Sequence, residues 1–164
     1  MMADDIQFSI TGLDSLLGKL DAIKQETKRK TGRAALRKAA NVVRDAAKAN
    51  AERIDDAATG RSIAENVAVQ WNGKRFKRTG DLAFRVGVRH GSKVEKKGNP
   101  DEGASGPTPH WRFKEFGTEK MAAEPFMRPA LENNINPATD TFIREYEKGI
   151  DRAIKRALKK GTTA

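Results

Sequence analysis

The chain has 164 residues, 37% of them hydrophobic and 33% charged, with a formal net charge of +10 and no cysteine. That length accommodates one domain with its own core, the low apolar share suits a subunit that completes its burial against neighbours, and the lack of cysteine excludes disulfides and thiolate metal sites. No apolar run approaches membrane-spanning length, and the start MMADDIQFSI lacks the basic and apolar regions of a secretory signal, so the expectation is a soluble protein made in a cytoplasm with no membrane partner.

Residues Ile6 to Ile10 alternate apolar and polar, the pattern of a short half-buried strand that Thr11-Gly12 ends. From Leu13 the residues Leu13, Leu16, Leu17, Leu20 and Ile23 recur at helical spacing. After a polar stretch the stripe resumes as Leu36, Ala39, Ala40, Val43, Ala46, Ala47 and Ile54, mostly alanine and so permitting close helix approach. Thr31-Gly32 either separates two helices or kinks one, because an interior glycine costs only about 1 kcal/mol. Val67, Val69 and Trp71 alternate with Ala68, Gln70 and Asn72 as a strand, and residues 83–88 read as its hairpin partner. The turn falls at Asn72-Gly73 or at Thr79-Gly80-Asp81. Trp71, in phase with Val67 and Val69, is a core or interface anchor. Gly91 to Pro109 is rich in glycine, proline and charge without periodicity, and reads as a long flexible loop ordered by a partner.

The positive charge is uneven. Residues 1–18 hold three acids and no base, residues 19–53 hold eleven Lys or Arg against four acids, and residues 91–134 are neutral. The surplus falls on the first helical region, on the run of Lys74, Arg75, Lys77 and Arg78, and on the C-terminal helix. Such a footprint suits nucleic acid or an acidic protein, and equally a solvated helix face. Those four bases are the candidate contacts for DNA or an acidic partner.

Trp111 to Phe116, WRFKEF, alternates until its last step and reads as a strand, and Gly117-Thr118 supplies a turn. Pro125 and Pro129 follow, the second suited to the first turn of a helix. Phe116 and Phe126 are placed to bury apolar surface on either side of this loop. Further on, Asn136-Pro137 resembles an N-cap and first helical position, and Phe142, Ile143, Tyr146, Ile150, Ile154, Ala157 and Leu158 make the stripe of a helix expected to pack on the sheet. The elements together predict an α+β fold: long N-terminal helices and a C-terminal helix packed on a small, mainly antiparallel sheet, with a long flexible loop. One domain spans residues 1–164, divided as strand and helices (1–60), strands (61–90), loop (91–109), strand, turn and anchor (110–134) and C-terminal helix (135–164).

No catalytic motif is present: there is no P-loop, nucleophile elbow, HExxH or dinucleotide turn. The pairs Asp4-Asp5 and Asp55-Asp56 are sequence neighbours and point apart in a helix or strand. His90 and His110 stand without cysteine or clustered acids and read as surface residues at strand ends, so no metal and no cofactor is expected. Glu115 is the acid that stands out, read either as a polar contact across a subunit interface or as a strand-end surface charge.

Glu115, Phe116, Gly117 and Thr118, followed by Pro125, Phe126, Met127, Arg128, Pro129, Ala130 and Leu131, resemble the EFGT and PFxRPAL signature of a phage tail-component family typified by the neck or tail-completion protein of the Hong Kong 97 phage. The motif is one of packing, not of catalysis. The resemblance extends loosely over most of the chain, through Gly12 to Asp14, the Ala-rich helix and Thr59-Gly60. It implies a non-enzymatic virion protein: a subunit of a homo-oligomeric ring, taken as a hexamer, at the head-tail junction of a long-tailed phage, through which DNA passes. Its partners would be itself, other neck and tail proteins and, transiently, DNA; it would reside in the virion after assembly in the host cytoplasm. Glu115 to Thr118, Pro125, Phe126, Arg128 and Pro129 are then the assembly or packing motif. The alternative is a small basic nucleic-acid-binding protein, against which stands the lack of a recognisable recognition helix or aromatic stacking platform.

Overall fold

A computed structural model of the chain describes residues 25–54, 62–89 and 108–161. The strand expected at residues 6–10, the helical stripe at 13–23, Thr59-Gly60 and the loop at 91–107 lie outside the described residues, as does His90. The described chain is mostly helical with one two-stranded antiparallel sheet, an α+β architecture with a long helix near each end. None of the described helices is long and apolar enough to cross a membrane.

Helix α1, Gln25–Glu52, is the spine. It passes through Thr31-Gly32 without interruption, and its buried face is Gly32, Ala35, Ala39, Val43, Ala47 and Ala51. That spacing of three and four residues keeps the stripe on one side of a 3.6-residue helix. Its small side chains let other elements approach closely. At Gly32 an added Cβ would lie 3.1 Å from Leu82 Cδ1 and 3.6 Å from Tyr146 Cζ, so the glycine tolerated mid-helix marks a contact rather than a break.

Helix α2, Ile63–Asn66, is one turn, capped by the Ser62 hydroxyl accepting from the Glu65 amide at 3.3 Å. Strand β1, Val67–Trp71, follows directly and pairs antiparallel with β2, Phe84–Val88, in the register Val67 with Val88, Val69 with Val86 and Trp71 with Phe84. Both expected turn sites are used, but neither closes the hairpin. Asn72 caps a helix, α3, Gly73–Thr79, its Oδ1 accepting from the Arg75 amide at 3.1 Å, and Gly80 ends it at φ +77°, donating to the Phe76 carbonyl at 2.9 Å. Between those stops lies KRFKR, a run of good helix formers without β-branching.

Helix α4, Trp111–Phe116, occupies the stretch whose alternation predicts a strand. The correction has a physical reason. Trp111 and Glu115, four residues apart, share the inward face, whereas Phe113 and Phe116, three apart, face outward at 54% and 67% exposure. The polarity pattern is thus inverted relative to burial, and Phe116 does not bury its ring as the sequence suggests.

Helix α5, Met127–Glu132, and helix α6, Ile135–Gly161, divide at Asn133-Asn134. The Asn134 carbonyl accepts from the Ala138 amide at 3.0 Å, so α6 begins about two residues before the expected Asn136 cap. Pro137 sits in its first turn, where no amide donor is needed. The helix lies chiefly along α1, which also receives the hairpin, rather than on the sheet. Tyr146 donates its hydroxyl to the Lys28 carbonyl at 3.2 Å, Lys38 pairs with Glu145, and Ile150 is fully buried. At Gly149 an added Cβ would collide with the Thr31 methyl, at 2.2 Å. The main core gathers at the C-terminal part of α1, where Ala47, Ala51, Ile63, Ala64, Val67, Phe126 and Ala130 meet and Trp111, Met127, Val86 and Val88 close its rim.

Candidate assembly site

The site is the segment from Thr108 to Leu131, held by one carboxylate. Glu115 is 2% exposed. Its Oε2 accepts from the amides of Phe126 at 2.8 Å and Met127 at 2.9 Å, and its Oε1 from the Arg128 amide and Arg128 Nε, both at 3.2 Å. These amides open α5 and have no partner within it, so a residue eleven to thirteen positions upstream does the work usually done by a local N-cap. Arg128 closes the arrangement by donating Nη2 to the Glu115 carbonyl at 2.7 Å, with its guanidinium 5.5 Å from the Phe116 ring. Glu115 is therefore neither a surface charge nor exposed to a subunit interface.

Burial alone would push the Glu115 carboxyl pKa up. The hydrogen bonds from the Met127, Phe126 and Arg128 amides and from the Arg128 side chain outweigh it, and the group sits below the ordinary glutamate range.

The loop between the helices is fixed at both ends. Gly117 adopts φ +72° and ψ 178°, a region open essentially to glycine, and a Cβ there would lie 2.9 Å from the Ala123 amide nitrogen and 3.0 Å from the Met121 carbonyl. Thr118 and Met121 then bridge through main-chain bonds of 2.8 and 3.3 Å. The Glu124 amide donates to the Lys114 carbonyl at 2.7 Å while their side chains pair at 2.5 Å, which brings the chain back to α4. Phe126 follows, fully buried, its carbonyl accepting from Asn50 Nδ2 of α1 at 3.2 Å. Pro129 is in the first turn of α5, and Pro125 precedes the buried ring on the exposed side.

The structure thus brings together Glu115, Gly117, Phe126 and Arg128, with Phe116 outside as the ring Arg128 covers. The large apolar side chains that stay exposed among the described residues, Phe113, Phe116, Met121, Leu131 and Ile135, all come from this stretch and its immediate continuation. Sequence reading missed Asn50, whose side chain ties α1 to the loop, and the buried pair Asn66 and Thr108, joined at 3.0 Å. Both pairs are far apart in sequence, and an asparagine in a helix carries no signal of a distant partner. His110 stands at the start of α4, not at a strand end, and its Nε2 is buried without a partner among the described residues. Among the described residues no cluster of His, Cys, Asp or Glu could hold a metal.

Lys74, Arg75, Lys77 and Arg78 lie outside this segment, all exposed on α3. Arg75 is paired with Asp81 at 3.2 Å. Phe76, between them, turns inward to Trp71 with ring centroids 5.5 Å apart, and Trp71 meets Phe84 edge-on at 5.1 Å. Trp71 is therefore a packing anchor at the hairpin tip.

A family model described as "Bacteriophage HK97-gp10, putative tail-component" matches residues 14–117, more than half of the chain. The match takes in the spine, the hairpin and Glu115 to Gly117; Phe126 to Leu131 lie beyond it. No curated protein and no solved structure matches the chain.

Proposed function

The chain belongs to the HK97-gp10-like family of phage tail components, and from that premise we propose that it is a structural neck or tail-completion subunit, without enzymatic activity, that closes into a ring at the head-tail junction through which DNA passes. The observation that carries the assembly part is the outward display of Phe113, Phe116 and Leu131, at 54%, 67% and 54% exposure, by a segment whose own fold is locked from inside by Glu115 and Phe126. Rigid apolar residues on a chain this highly charged are what a subunit interface requires at its centre. Glu115, Gly117, Thr118, Pro125, Phe126, Arg128 and Pro129 serve that role from within, by fixing the surface; Phe116 serves it by contact. The partners are further copies of the chain and other neck and tail proteins, and the place is the virion, after assembly in the host cytoplasm.

A ring requires heterologous contacts whose rotation closes, and a hexamer is the size this reading predicts. Native mass spectrometry of the protein alone and docked on assembled tails checks it. A closed oligomer in at least one setting is expected; a monomer in both sinks the reading.

A further inference from the structure

We infer that α3 and the adjoining outer face of α1 form a surface that holds the backbone of duplex DNA without reading its sequence. Lys74, Lys77 and Arg78 lie at positions i, i+3 and i+4 of α3, hence on one side, and all three are exposed. The opposite side is anchored by Phe76 against Trp71, and the helix is stopped at both ends by Asn72 and Gly80, so the bases stand on a fixed support. Arg33 of α1 stacks on the same Trp71, its guanidinium 4.1 Å from the ring centre. Trp71 is therefore a support shared by α3, through Phe76, and by Arg33 of α1.

From there Lys30, Arg33, Arg37 and Lys48 follow a single side of α1, away from the buried stripe of Gly32 to Ala51. None of these seven bases forms an ion pair with another described residue: Asp81 and Asp45 are taken by Arg75 and Arg44, and Glu26 and Glu52, four residues from Lys30 and Lys48 on α1, offset part of the charge at its two ends. At 1.5 Å per residue, Lys30 to Lys48 spans about 27 Å. That length covers about three quarters of a duplex turn of about 34 Å, along which the phosphates on the facing side come within reach of the bases.

The occupant follows from what surrounds the charge. A single-strand binder needs open aromatic faces for stacking, but Trp71 is covered by Arg33, Phe76 and Phe84. Lys and Arg can contact guanine edges in the major groove as well as phosphates, but that face of α3 offers Lys74, Lys77 and Arg78 with no Asn or Gln to read adenine and no acid to read cytosine, so the set is assigned to phosphates. Straight, positive and without a stacking platform, the surface fits the outside of a duplex. The inference stands on charge and geometry, so it fails or holds separately from ring formation, which is read by mass.

The test is fluorescence anisotropy of the full-length protein with two 30-base-pair duplexes of unrelated sequence, across a salt series. Neutralising about six or seven phosphates predicts a loss of about 10³- to 10⁴-fold in affinity between 50 and 200 mM salt. The variant carrying Lys74→Gln, Lys77→Gln and Arg78→Gln should bind more weakly, with the slope of log K against log salt reduced by about 3. Its circular dichroism and melting should match the parent, because the three side chains are exposed and form no ion pair with another described residue. No binding at 50 mM salt, an unchanged slope in the variant, or a tenfold preference between the duplexes would each overturn the inference.

Discussion

Along α1 and α6 the contact is spread over a stripe of small residues, with Gly32 and Gly149 set against Tyr146 and Thr31, whereas between α4 and α5 it converges on one ring and one carboxylate. The first arrangement repeats every turn, so each position carries little of the total and a local loss is tolerated. The second has no repeat. Phe126 fills the core beneath the loop, Glu115 satisfies the amides that open α5, and nothing nearby takes over if either is removed. A distributed contact sets the shape of the spine, and a concentrated one sets the precise placement of the exposed surface above it.

The sharpest way to break this contrast is Phe126→Ala. The ring is fully buried against Ala47, Ile63 and Ala130, so its loss should cost about 3 to 5 kcal/mol, read as a drop in the denaturation midpoint. A cost below about 1 kcal/mol would mean that the segment is held elsewhere.

Next in size is Glu115→Ala, expected at roughly 3 kcal/mol, the upper end of the about 1 to 3 kcal/mol for leaving one buried donor unsatisfied, because the Phe126 amide is buried while those of Met127 and Arg128 are only partly so. The pH dependence follows in sign. Because the folded-state pKa is lowered, the contribution is fully present above the unfolded value, about 4.3, and is lost as pH falls through the folded value. Asp81, through Thr79 and Arg75, and Glu145, through Lys38, are shifted the same way, so Glu115→Gln isolates the clamp. The variant should show a flatter decline in stability between pH 5 and about 2 than the parent; an identical decline would remove Glu115 from the acid response.

On the spine, Ala39→Gly serves as the counterpart, because Ala39 lies in the buried stripe and outside the Phe126 cluster; its cost is about 1 kcal/mol from helix propensity and about 0.8 kcal/mol from the lost methyl. A loss as large as that of Phe126→Ala would show that the stripe is concentrated after all.

The same contrast explains what could be read from the sequence. The spine, the two strands and the C-terminal helix are periodic, and periodicity survives a residue or two of error, as with Leu36 expected where Ala35 is buried. The clamp is aperiodic. Its inward residue is a glutamate and its outward ones are phenylalanines, so a rule that places apolar residues inside turns WRFKEF over and reads a strand. Gly117 was legible because its need for positive φ depends on its neighbours in the chain, and Phe126 because its size and flanking prolines mark an anchor. The partners of Glu115 were not, since three amides eleven to thirteen residues away leave no mark on residue type.

The smallest effect on stability, and the most informative about function, is expected for Phe116→Ser. Phe116 is 67% exposed, and its one described contact of note is the Arg128 guanidinium 5.5 Å away. An exposed cation–π contact is worth about 0.5 to 1 kcal/mol, so the monomer should keep its fold and lose no more than that. The interior of the clamp does not involve this ring: Arg128 still reaches the Glu115 carboxylate and carbonyl. If Phe113 and Phe116 form the centre of a subunit interface, however, truncating the larger exposed surface should weaken association by about 2 kcal/mol, roughly thirtyfold. Sedimentation of the variant beside complementation of a phage lacking the gene, with joined and unjoined particles counted by electron microscopy, separates the two effects. Intact folding with unjoined particles places assembly on this face. Normal joining with an unchanged oligomer moves the interface to another part of the molecule.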